Sequence, residues 1–193
     1  MFARRLGIII AAGIMFQPIG ASAQEVTQQR ITASLGKVTK AAPIIDVELL
    51  RQEALGNPGQ NLQTLPNWNK VSKLPQMLVE LNFDNNSVAI EPRSYRTIGL
   101  LADALHHPNL LKYKFLIVGH TSSTGDAKHN LQLSQERADA IKDALATTFA
   151  IEPGRLFAVG VGQEYPIEGS NPTAADNRRV QLFNLGTFTA VKK

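Results

Sequence analysis

Cysteine is absent from all 193 residues. That excludes disulfides, thiolate metal sites and thiol catalysis, and with them the lipidated cysteine that anchors a bacterial lipoprotein. Long apolar runs are also missing. Only residues 6–16, LGIIIAAGIMF, form one, and 11 residues fall well short of the ~20 that a membrane helix requires. A long series of ~10-residue amphipathic strands, the mark of an outer-membrane barrel, is absent too. A strong excess of positive charge is the third thing lacking. The formal charge of +4 includes Arg4 and Arg5, whose removal would leave +2, and no Lys/Arg stripe remains to follow a nucleic-acid backbone.

What is present begins with an export signal. MFARR is basic, the apolar run follows, and QPIGASA ends in small residues, so residues 1–23 are expected to be a signal peptide cut after Ala23. An exported chain without disulfides fits the periplasm. Residues 24–76 are rich in Gln, Asn, Thr and Pro with weak periodicity, and are expected to form an irregular arm or linker. One short helix is expected within residues 43–56, between Pro43 and Gly56. Trp68 in this stretch is expected to dock on the domain, the alternative being an anchor for a partner.

From Met77 the pattern sharpens. MLVELNFD (77–84) alternates as a strand, and Tyr95, Ile98, Leu101 and Leu105 fall at helical spacing between Pro92 and Pro108. KFLIVGH (114–120) reads as a short buried strand. The helix after it is capped by Asp126 and offers Leu131, Ala138, Ile141 and Leu145 to the core. RLFAVGVG (155–162) and RRVQLFNLG (178–186) complete the strands. The predicted fold is an α/β (α+β) sandwich over residues 77–187, with helices on one face of a small mixed sheet and a tail at 188–193.

Several motifs invite chemistry and fail on spacing. AVGVGQE (158–164) has Gly-x-Gly without the third glycine of a dinucleotide fingerprint, so no cofactor is expected. His106 and His107 point about 100° apart on a helix, which suits a helix end better than a metal. His120, Ser122 or Ser123, Asp126 and His129 lack the strained G-x-S-x-G turn of a hydrolase, and no enzyme is expected. The face of the third predicted helix is more informative. Asn130, Leu133 and Arg137 are spaced by three and four, so they project together. A helix-fixed guanidinium presents a planar fork to a carboxylate. The plainer alternatives are an arginine paired with Glu136 or Asp139, or one tying helix to sheet. NRRV (177–180) offers an amide and two more guanidiniums to one side of a pocket.

Taken in order, LNFDNNS (81–87), GHTSSTG (119–125), HNLQLSQERADAI (129–141), RLFAVGVGQEYPI (155–167) and NRRVQL (177–182) resemble the OmpA-like peptidoglycan-binding domain. The resemblance implies a β/α sandwich that grips the diaminopimelate residue of the peptidoglycan stem without catalysis. It implies that Arg137 takes the ligand carboxylate, and that Thr121, Ser122, Asn130, Leu133 and Asn177 shape the pocket, with contacts from Asn85 and Val180. The family's usual GHTD places an aspartate against the ligand ammonium. Here that position is Ser122, 15 residues before Arg137. The expected site is therefore weakened or retuned. Two functions stay open: a periplasmic cell-wall-binding module, associated with the outer membrane or the wall and engaging envelope proteins through residues 24–76, and an OmpA-like scaffold for protein assembly.

Overall fold

The computed structural model describes residues 26–37, 43–84 and 87–187. The expected signal sequence, Asn85 and the expected tail lie outside the described residues. Four strands, β1 (Gln76–Val79), β2 (Tyr113–Gly119), β3 (Leu156–Gly160) and β4 (Val180–Thr187), form one sheet in the order β1-β4-β2-β3. β2 and β3 run parallel, joined by a helical crossover, and the other pairs are antiparallel. The α/β class is as expected, with each strand shifted by a few residues from its predicted limits. The stretch after Val79 leaves the sheet and returns only through a single bridge between Phe83 and Ile90.

β2 explains the architecture. Its apolar residues are continuous because both faces of the sheet are covered. Phe115 and Ile117 enter one core, with Met77, Val79, Leu156, Ala158, Val180 and Leu182 from the other strands. Leu116 and Val118 enter the opposite core, beside Val159 and Phe183.

The first core is closed by α1 (Gln28–Leu35), α4 (Ser94–His106) and α5 (Ala127–Asp143). In α4, Ile98, Leu101, Ala102 and Leu105 make the buried stripe, whereas Tyr95 faces outward at 46% exposure. α5 begins at Asp126, whose side chain accepts from the His129 amide at 2.8 Å, as its sequence suggested. Two glycines set its height above the sheet. A side chain at Gly119 would overlap the Ser134 carbonyl, and one at Gly160 would overlap the Gln135 backbone. The Gly-x-Gly of residues 160–162 therefore serves close packing of helix on strand.

The second core corrects two expectations. Helices cover both faces of the sheet, and residues 43–74 form no irregular arm. α2 (Val47–Gly56), a 3-10 turn at Leu62–Thr64 and α3 (Pro66–Ser72) lie on the second face. Asp46 caps α2 by accepting from the amides of Glu48 and Leu49. Leu50, Leu62, Trp68 and Val71 are wholly buried. The pieces are too short to show a clear helical period, but their apolar residues are what shield Leu116, Val118 and Phe183 from water. Trp68 docks on the domain, as favoured. Arg51 and Gln135 side chains also donate to the Ala158 carbonyl, covering part of the β3 edge.

Candidate ligand cleft

A cleft of about 510 Å³ opens where the sheet ends at Gly119 and Val180. One wall is residues 78–83, the end of β1 and the irregular stretch that follows it. Another is the segment 175–180 leading into β4, and α5 contributes Arg137. Burial has stripped Arg137 of most of its water, leaving it 8% exposed. Its Nε donates to the Ser87 carbonyl at 3.0 Å and its Nη2 to the Asp84 carbonyl at 3.3 Å. The Phe83 ring lies 4.8 Å from the guanidinium carbon.

No carboxylate comes within ion-pair distance of Arg137 among the described residues. Its neighbours along the helix are occupied: Gln132 donates to Glu136 and Gln135 to Asp139. Burial, and then the charge of Arg178, push its pKa down from the ordinary value. This cation is held by carbonyl dipoles and an aromatic face, with its charge uncompensated. An anion arriving in the cleft would relieve that.

Val180 lines the cleft beside Arg137. The remaining expected site residues that are described serve the surrounding framework. Ser122 is 2% exposed, and its hydroxyl is bonded to that of Thr124 at 2.8 Å. Asn130 uses its amide to donate to the carbonyls of Ser122 and Thr124 and to Gln163 Oε1, stapling the 121–125 turn to α5. Asn177 accepts from the Ile167 amide at 2.9 Å and donates to the Asn171 carbonyl at 2.9 Å, fastening the loop that precedes β4. Thr121 is buried, and Leu133 is buried on α5. The hydrolase-like set is not assembled, since Asp126 caps the helix, Ser122 faces Thr124 and the His120 ring bonds the Tyr165 carbonyl. Likewise His106 is bonded to the Phe149 carbonyl at 2.8 Å, at the end of α4.

Sequence reasoning missed the negative charge in the cleft. Glu80, Glu91 and Asp176 line it together with Arg93, Arg178 and Arg179. They come from separate segments with no shared motif, so no spacing pattern could have joined them. Glu91 is engaged by Arg93. At the base, His120 and Arg179 are both buried and both bond the Tyr165 carbonyl, at 3.2 and 3.0 Å. Because that carbonyl can only accept, His120 Nδ1 carries a hydrogen, and its buried Nε2 has no partner among the described residues. Burial holds His120 well below the usual imidazole range, and the Arg179 charge adds to this. Burial also lowers Arg179 to about 10.

The description of the OmpA family matches residues 82–179, more than half of the chain, and the chain belongs to that family. Outer membrane porin F of Pseudomonas aeruginosa is 34% identical over 115 residues, 58% of this chain and 32% of the porin. The probable lipoprotein YiaD of Escherichia coli is 36% identical over 106 residues, 53% of this chain and 46% of its own length. The peptidoglycan-associated lipoprotein of Haemophilus influenzae is 38% identical over 71 residues, 36% of this chain and 46% of that protein. Each match spans less than half of the relative. The solved peptidoglycan-associated lipoprotein of Burkholderia pseudomallei is 26% identical with a TM-score of 0.45, covering 68% of this chain and 98% of that one. No helix among the described residues is long and apolar enough to cross a membrane.

Proposed function

We propose that this member of the OmpA family is a non-catalytic, periplasmic cell-wall-binding module that holds the peptide stem of peptidoglycan. One observation carries the reading: Arg137 is buried, free of any carboxylate among the described residues, and set in the wall of an open cleft. A stem carboxylate would meet a pre-oriented, desolvated fork, and such a charge-assisted bond contributes roughly 1.5–3 kcal/mol, or about 10- to 150-fold in affinity. The name of the lipoprotein relative from H. influenzae points the same way. Export by residues 1–23 would deliver the chain to the wall.

The ligand ammonium has no aspartate at position 122. Ser122 is buried against Thr124 and does not line the cleft, so its hydroxyl is a poor substitute. Glu80 and Asp176 supply negative potential in the cleft itself. The site is retuned rather than lost.

Co-sedimentation of the mature chain with purified diaminopimelate-type sacculi tests this, beside Arg137→Ala and Ser122→Asp. The native chain should pellet and Arg137→Ala should stay in solution. If only Ser122→Asp pellets, the natural site has given up the wall. The assembly-scaffold reading, supported by the neutral, buried residue 122, then takes its place.

A further inference from the structure

The cleft's cationic base is held from the opposite face of the sheet. Its organising group is the Tyr165 peptide, whose carbonyl receives both His120 and Arg179. The loop carrying Tyr165 makes three contacts with the second-face layer. The Leu62 amide donates to the Glu164 carbonyl at 2.9 Å. Gln63 Nε2 donates to the Pro166 carbonyl at 2.9 Å. The Trp68 ring lies 5.7 Å from the Tyr165 ring, which in turn lies 5.5 Å from that of His120. Trp68, Tyr165 and His120 thus form one aromatic chain from the buried second core to the cleft, and all three are buried.

We infer that Gln63 and Trp68 are positioning residues for the ligand cleft, acting through the 164–166 loop to set the places of His120 and Arg179. The inference rests on the wall-binding reading for its ligand, but the mechanical link does not. Loop 164–166 has its bonds to α3's neighbourhood on one side and to the cleft base on the other. A shift in the second-face layer therefore moves the cationic wall beside Arg178 and Arg179, with Arg137 left in place on α5. Neither Gln63 nor Trp68 lines the cleft. This makes residues 62–68 part of the site although they lie on the far side of the sheet.

Two variants separate positioning from general loss of stability. Gln63→Ala removes the bond to the loop. Asn67→Ala removes a bond of the same layer, Asn67 Nδ2 to Glu53 at 2.6 Å, that does not reach the loop. The His120 imidazole resonances, read by NMR without ligand, should move in Gln63→Ala and stay put in Asn67→Ala. Sacculus affinity of the full mature chain should fall about fivefold in Gln63→Ala, the equivalent of one ordinary hydrogen bond, and hold in Asn67→Ala. Gln63→Glu, which keeps the shape and loses the donor, should behave like Gln63→Ala. Trp68 is the only tryptophan, so its emission should change when soluble stem peptide fills the cleft. Unmoved His120 resonances in Gln63→Ala, or equal effects in both alanine variants, would overturn the inference. Failure of the native chain to bind sacculi would instead sink the wall-binding reading, with the NMR comparison still deciding the link.

Discussion

Arg155 and Arg137 stand near the two ends of β2, and their surroundings are alike in several respects. Both are buried, and both lie over an aromatic ring, Phe115 at 5.6 Å and Phe83 at 4.8 Å. Neither has a carboxylate within ion-pair distance among the described residues. They differ in what is left to bind. Arg155 spends Nε on the Tyr113 carbonyl and Nη2 on those of Leu105 and Leu110, at 2.9 to 3.1 Å. It closes the end of α4 and the start of β2, where a cation also complements the helix dipole. Arg137 holds two loop carbonyls and faces a cleft. On the proposed reading, the structural arginine and the ligand arginine are told apart by the cavity in front of Arg137, and burial alone does not distinguish them.

The comparison breaks most visibly in stability. Arg155→Ala removes three hydrogen bonds to carbonyls, but that of Leu110 still accepts from the Tyr113 amide, so urea unfolding should show a loss of roughly 2 kcal/mol. Wall binding per folded molecule should be unchanged. A loss below about 1 kcal/mol would mean that those carbonyls find water, and the distinction between the two arginines would weaken.

Arg137→Lys probes the other end with charge retained. An ammonium cannot reproduce the fork or the stacking on Phe83, so sacculus affinity should drop about tenfold, or roughly 1.4 kcal/mol, with a smaller loss of stability than in Arg155→Ala because charge and one donor group remain. Equal affinity for the lysine variant would show that the cleft uses net charge alone.

Much of this domain was legible from its residues. The Asp126 cap, the stripe of α4 apart from Tyr95, and the spacing of Asn130, Leu133 and Arg137 follow local rules that the structure obeys. Spacing put three side chains on one helix face, but it could not say which of them meets a ligand. Asn130 turned inward to three acceptors, and Arg137 alone reached the cleft. The second face was the larger miss. Leu50, Leu62, Trp68 and Val71 sit on helical pieces of ten residues or fewer, separated by turns, so no single period spans them. The clue available was β2 itself: a strand apolar on both sides demands two covers, and the second had to come from within residues 24–76. The cleft carboxylates were hidden for a related reason, since Glu80, Glu91 and Asp176 meet only after the chain has folded.

The smallest effect is expected from acid, and it falls on the cleft end. Arg155 keeps its charge through mild acid, but His120 beside Arg179 must stay neutral in the folded protein. Its folded pKa lies well below the ordinary 6.5, chiefly through burial and then through Arg179, and the hydrogen bond to the Tyr165 carbonyl opposes this only in part. The unfolded chain therefore binds the proton first. Stability is complete above about pH 6.5, declines as pH falls through that value, and levels off once the lowered folded pKa is passed. His120→Gln keeps a donor for the Tyr165 carbonyl and has nothing to titrate. Urea midpoints at about pH 7.5 and 5.5 should separate more for the native chain than for His120→Gln, because only the native chain carries this linkage. Parallel midpoints would mean that the buried ring accepts its proton without cost, and that the cationic base of the cleft is better solvated than its packing implies.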